Sequence, residues 1–185
     1  MTPRLARVVL ALGVAIFVTV ASLSTLVALW EFNQHQGLDN AYFVQRVWQF
    51  VWMEEPFRTL ILQESGQGIL RGKHVAPILL LFAPTQRFAP GIESLELLHV
   101  VLFGLTALPA FGLGRRLLGD DRGGLLLAGL WLCSPMTWVL ATHDFRTMTL
   151  GGVALVLLHW AMSTGRLGIV ALAAALACAC REELP

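Results

Sequence analysis

From Val8 to Trp30 the chain carries no charged residue, and it enters this run through Arg4 and Arg7. The run has about the length a helix needs to cross roughly 30 Å of hydrocarbon. Inside hydrocarbon the backbone N–H and C=O groups must be paired within the segment itself, so a helix is the conformation such a run selects. A cleaved export signal is the rival reading, but its apolar core is about 7 to 15 residues long and ends at a small-residue cleavage site. Here apolar character continues past Ala21-Ser22, so an uncleaved first span is expected.

Later segments repeat the pattern. Ile92 to Leu113 is long enough to cross and ends in Arg115-Arg116. Gly123 to Ala141 is a further span interrupted by Pro135, and Met148 to Met162 and Leu167 to Cys180 are two shorter ones. Val75 to Ala83 holds Pro77, with Pro84 and Pro90 close behind, and suits a short re-entrant or interfacial segment better than a crossing. The expected fold is an all-α membrane protein built as a single membrane domain over residues 1–185. Its about five spans cover residues 8–30, 92–113, 123–141, 148–162 and 167–180, with an outer loop over 31–91. Composition agrees: 56% of residues are hydrophobic and only 14% charged, where soluble domains average about a quarter charged.

Orientation follows from arginine, since Lys73 is the lone lysine. Basic residues flanking short loops prefer the cytoplasm, and Arg4, Arg7, Arg115, Arg116, Arg122 and Arg166 fall on one side if two crossings separate the N-terminus from Arg115. That count also excludes the Val75 stretch as a crossing. The predicted location is the cell inner membrane, multi-pass, with a cytoplasmic N-terminus. The acids Glu31, Asp39, Glu54, Glu55, Glu64, Glu93, Glu96, Asp144, Glu182 and Glu183 then lie on the outer side, against Asp120 and Asp121 inside.

Between Asn40 and Met53, Phe43, Val44, Val47, Trp48, Phe50 and Val51 fall on one helical face and Gln45, Arg46 and Gln49 on the other. This pattern predicts a helix lying in the membrane interface, with its rings at the headgroup level. Asp39 stands just ahead of it in Gly37-Leu38-Asp39-Asn40, either as the cap of a helix starting near Asn40 or as a functional acid where a span meets water. Asp144 is either a functional acid or the surface partner of Arg146. His99 and His159, inside spans, are expected to hydrogen-bond between helices.

Several chemistries are excluded or unsupported. The formal charge of +1 comes with no concentrated basic stripe, which argues against a nucleic-acid surface. Cys133, Cys178 and Cys180 sit in apolar runs without metal-ligand spacing and read as small packing residues. No phosphate-binding glycine loop, zinc-protease motif or nucleophile elbow occurs.

The order and spacing of several short pieces carry a resemblance from Gly37 to Pro185. They are Gly37-Leu38-Asp39 with Phe43, Gln45 and Trp48; Gly72-Lys73-His74 leading into Pro77-Ile78-Leu79-Leu80-Leu81; Ala107-Leu108-Pro109; Arg115-Arg116-Leu117-Leu118-Gly119; Ser134-Pro135; Asp144-Phe145; and Arg181-Glu182-Glu183. The chain resembles a bacterial family of predicted polytopic membrane proteins carrying a domain of unknown function, distantly similar to the GT-C glycosyltransferases.

That resemblance implies a cavity formed at the membrane surface by the first outer loop and its interfacial helices. Its substrate would be a sugar carried on a polyprenyl phosphate. Asp39 takes the position of the first acid, which acts as general base on the acceptor hydroxyl or helps hold a divalent metal, the one cofactor implied. Asp144 takes the position of the second acid. Lys73, His74, Arg181, Glu182 and Glu183 are the residues assigned to substrate and phosphate binding. After Asp-Phe the family usually continues with a histidine and, two residues later, an acid, whereas this chain reads Arg146-Thr147-Met148.

Physically, a carboxylate within reach of a hydroxyl nucleophile accepts its proton, and fixed cations such as Arg181, Lys73 or protonated His74 stabilise a departing lipid phosphate. Arginine adds a two-pronged fork for phosphate oxygens. The expected partners are the lipid bilayer and a polyprenyl-phosphate sugar donor, with no nucleic acid. A membrane transporter is the alternative from another class, and a non-enzymatic subunit or inactive relative is a third. Because the chain stops at Arg181-Glu182-Glu183-Leu184-Pro185, where the resemblance expects further spans, the sequence is read as an N-terminal portion.

Overall fold

A computed structural model of the chain describes residues 1–31, 37–52, 77–143 and 145–180 and, within 37–52, the side chains of 43–48, 51 and 52. The described residues are helical, with no strand among them. In chain order the helices are α1 (Pro3–Trp30), α2 (Gly37–Trp52), a 3₁₀ helix (Pro77–Phe82), α3 (Ala83–Phe88), α4 (Ile92–Leu105), α5 (Ala107–Leu118), α6 (Asp121–Cys133), α7 (Pro135–Thr142), α8 (Thr147–Thr164) and α9 (Leu167–Cys180).

The first helix starts on Thr2, whose Oγ1 accepts the Leu5 N–H at 3.3 Å, with Pro3 inside the first turn where its missing N–H costs nothing. Its 28 residues rise about 42 Å, more than the hydrocarbon thickness. The buried stripe is mostly small or slender: Ala6, Leu10, Phe17, Ala21 and Thr25. Leu5, Val8, Leu12, Ile16, Val20 and Leu23 face outward. Large apolar side chains outside and small ones inside is the distribution expected where lipid, not water, is the solvent.

The apolar run from Ile92 crosses to Leu118, longer than the 92–113 read from sequence. Thr106 stands between α4 and α5, its hydroxyl donating to the Leu102 carbonyl at 2.7 Å, and Pro109 brings no N–H to the first turn of α5. Gly119 closes α5 in the left-handed conformation at φ +83°, and Asp120 caps α6 by accepting the Gly123 N–H at 2.7 Å. This tight hairpin is possible because Gly114 faces Gly123 and Gly124 with nothing between the backbones.

The second apolar pair, α6 and α7, bends by 52° at Ser134-Pro135. Indole groups supply donors around the break: Trp138 Nε1 donates to the Leu132 carbonyl and Trp131 Nε1 to the Phe103 carbonyl, each at 2.8 Å. Phe17 packs edge-on to Trp138 at 4.7 Å, which ties α1 to the same point.

Among the described residues, three helical stretches are long and apolar enough to cross a membrane, or four if the bent pair is one span. α9 is apolar but shorter, at 14 residues. The segment expected to be short and non-crossing is the 3₁₀ helix followed by α3, with Ile78, Leu79 and Phe82 buried and Leu80 and Leu81 exposed. Gln86 staples its exit. The amide of this buried side chain donates to the Gly91 carbonyl at 2.8 Å and to Ser94 Oγ at 2.9 Å, while its oxygen accepts the Gly91 N–H.

Arg7, Arg115 and Arg116 gather at one end. Arg7 and Arg115 line one cleft, and Arg116 Nη1 donates to the Ser163 carbonyl at 2.9 Å, bringing the C-terminal end of α8 to the same side. The opposite end holds α2, the 3₁₀ helix, the start of α4 and the start of α8. Two details depart from the sequence reading. Glu96, assigned to an outer acidic surface, is fully buried inside α4. Arg46, assigned to a polar face, is 2% exposed, while Trp48 and Trp52 are exposed. The cause is that α2 has protein on one side and the outside on the other, so its apolar tryptophans cover the outer face and its arginine enters the protein.

Replacing Gly114 with Ala is expected to destabilise the bundle by about 1–3 kcal/mol, because the new methyl meets backbone atoms of Gly123 and Gly124. Gly129→Ala meets nothing within 4 Å and should be neutral or stabilising. Thermal unfolding of both variants in the same detergent measures the contrast.

Candidate functional site

Phe145 is the point on which the end opposite Arg7 and Arg115 converges. Its ring meets Phe82 of the 3₁₀ helix at 4.9 Å, His99 of α4 at 5.3 Å and Phe43 of α2 at 5.4 Å, all edge-on. Edge-to-face pairs of this kind add about 0.5–1.5 kcal/mol each beyond the burial of their surface. Its amide N–H donates to Glu96 Oε1 at 2.9 Å, across 49 positions of sequence. The carboxylate thus substitutes for the helical carbonyl that Phe145, standing between α7 and α8, does not have.

His99 lies one turn beyond Glu96 on the same face of α4, its Nδ1 4.0 Å from Glu96 Oε2. Its other nitrogen, Nε2, is 2.7 Å from Thr149 Oγ1 on α8. The proton positions follow from counting donors. Thr149 has one hydroxyl proton, and it goes to the Arg146 carbonyl at 2.7 Å, which can only accept. Thr149 Oγ1 therefore accepts from His99 Nε2–H, and that nitrogen carries a proton. The interhelical role expected of His99 is met. His159 differs: its Nδ1 contacts the Leu155 carbonyl of its own helix, on an exposed position.

On α2, Arg46 is buried, and Gln45 Oε1 is buried with no hydrogen-bond partner among the described residues. A cation of this kind inside a membrane bundle marks a polar interior more often than a structural accident. Among the described residues no three His, Cys, Asp or Glu side chains converge as a ligand set. Glu96 and His99 offer two donors without a third, so no step is assigned to a metal.

The residues selected from sequence relate to this centre in different ways. Asp39 belongs to α2, which begins at Gly37 and not near Asn40, so Asp39 sits within the first turn instead of ahead of it. It stands one helical turn before Phe43 and two before Arg46, in the same register. Its side chain is outside the described residues. Asp144, Lys73, His74, Arg181, Glu182 and Glu183 also lie outside them, although His143 and Phe145, the chain neighbours of Asp144, are described. Sequence reasoning missed Glu96 as a site residue. The available signal was Glu96 and His99 three apart in an otherwise apolar run, two polar groups on one face of a span.

Apolar helices that turn large apolar side chains outward and enclose a buried polar centre at one end define a helical membrane protein. The chain belongs to the family described as Predicted membrane protein (DUF2079), which matches residues 28–185. No curated protein and no solved structure matches it.

Glu96→Ala would strand the buried Phe145 N–H, at a cost of about 1–3 kcal/mol. Glu96→Gln keeps an oxygen that can accept it and should stay closer to the parent. Thermal unfolding together with trypsin cleavage after Arg146 reads the difference, with faster cleavage expected in the alanine variant alone.

Proposed function

We propose that this protein is a GT-C-like glycosyltransferase homologue, a single membrane domain of about five spans. It acts at the outer face of the bacterial inner membrane, with its N-terminus in the cytoplasm. The donor is a sugar linked to a polyprenyl phosphate. The observation that carries this reading is the contact between Phe43 and Phe145 at 5.4 Å. It joins the helix bearing Asp39 to the residue that follows Asp144, beside a buried polar cluster and at the end of the bundle opposite Arg7 and Arg115. The proposal assigns both acids, from distant parts of the sequence, to one polar region, as a transfer reaction at a membrane surface requires.

In this mechanism the acceptor hydroxyl attacks the anomeric carbon. Asp39 accepts the hydroxyl proton as the new C–O bond forms. The bond from that carbon to the lipid phosphate breaks, and the phosphate leaves with the electron pair. Lys73, His74 and Arg181 bind the developing phosphate charge, which is worth more in a partly dehydrated cavity than in water. Asp144, Glu182 and Glu183 orient the acceptor. The interfacial helix α2, with Trp48 and Trp52 outward, sets this chemistry at the headgroup level, where the lipid-linked phosphate resides.

Asp39→Asn is expected to reduce sugar transfer from a polyprenyl-phosphate donor by about a hundred- to ten-thousandfold while membrane insertion and helical content are unchanged. Unchanged turnover would reject Asp39 as the base. The 52° break between α6 and α7 favours a second reading, a transporter, because broken spans commonly line substrate paths. Substrate flux that survives Asp39→Asn, with no transfer in the parent protein, would select it.

A further inference from the structure

The arginine end contains a cleft that the proposed transfer chemistry does not use. Pro3, Arg7, Phe111, Arg115 and Asp121 line it, with a volume of about 180 Å³. Each arginine is held through its own Nε. Arg7 Nε donates to the Pro3 carbonyl at 3.2 Å, and Arg115 Nε pairs with Asp121 Oδ1 at 2.7 Å. Phe111 lies beneath the Arg115 guanidinium at 5.7 Å. Anchored through Nε, each guanidinium keeps its Nη groups available, and neither has a further hydrogen bond among the described residues. Two such forks at one opening match the geometry of a phosphate diester, which offers paired oxygens to planar donors.

Charge and position identify the source of that phosphate. Asp121 is occupied by Arg115, and Asp120 is occupied as the cap of α6. Arg4, Arg116 and Arg122 are exposed around the same end, so the local balance is positive. Next to Arg7 the outward side chains of α1 are Leu5, Val8, Val9 and Leu12, and next to Arg116 those of α5 are Leu117 and Leu118. A headgroup seated at the arginines leaves its acyl chains along these apolar faces. A free anion would gain nothing from them.

We propose that the Arg7–Arg115 cleft binds the phosphate of an anionic phospholipid at the arginine end of the bundle. The test uses the full chain in mild detergent, titrated with phosphatidylglycerol or phosphatidylcholine and observed by native mass spectrometry. Phosphatidylglycerol should be retained in preference. Since one cation near an anionic lipid is worth about fivefold, Arg7→Gln with Arg115→Gln should weaken that preference by about 25-fold.

Asp121→Asn keeps both arginines and removes the competing carboxylate. It should preserve or strengthen the preference, and it gives a reading even if the double variant unfolds. Equal retention of the two lipids overturns the proposal. So does loss of preference in a folded Asp121→Asn protein, or an unchanged preference in a folded double variant. Displacement of phosphatidylglycerol by equimolar inorganic phosphate would overturn the lipid assignment and leave a simple anion site.

Discussion

A backbone polar group left unpaired in hydrocarbon costs several kcal/mol, and this chain interrupts its helices inside the bundle. Each interruption comes with its own donor or acceptor. Thr106 bonds to the Leu102 carbonyl where α4 passes into α5, the Trp138 indole serves the Leu132 carbonyl just before Ser134-Pro135, and Glu96 accepts the Phe145 amide between α7 and α8. The first two are neutral and close in space or sequence. The third places a carboxylate in the interior, the most expensive solution, and it is the one that lies beside the candidate site.

That choice has consequences for everything around it. A buried carboxylate needs polar company, which His99 supplies at 4.0 Å, itself 2.7 Å from Thr149 on α8. A ring pinned by its backbone needs a socket, which Phe43, Phe82 and His99 form. The outcome is a rigid junction between α2 and the connection from α7 to α8. Rigid support of that type is what a site needs if its acids are to be held at a fixed separation. At the opposite end Arg115, Arg116, Arg122 and Arg166 stand at the short turns of the α5–α6 and α8–α9 hairpins.

Much of this was legible in the sequence, and the reasons differ by element. The apolar runs read through because hydropathy is a local property. The gathering of Arg7, Arg115 and Arg116 on one side read through because charge and span parity constrain each other. Val75 to Ala83 was identified as too short to cross, and its described part is a 3₁₀ turn continuing into α3. Burial inside the bundle did not read through. Glu93 and Glu96 have the same chemistry and stand three apart, yet Glu93 is exposed and Glu96 is fully buried. What separates them is the Phe145 amide, distant in sequence and invisible to any window. Arg46 was misplaced for a related reason: a polar face on an interfacial helix points to water only if protein does not cover it.

The most direct test of the account is whether positions 39 and 144 are near one another in the membrane. With Cys133, Cys178 and Cys180 replaced by serine, Asp39→Cys and Asp144→Cys should be joined within a single chain by a short bifunctional maleimide in native membranes. The product should be lost when Phe145 is changed to Ala. Failure of the pair to cross-link, with each cysteine reacting singly, would contradict a common site and separate Asp39 from the polar centre built on Glu96.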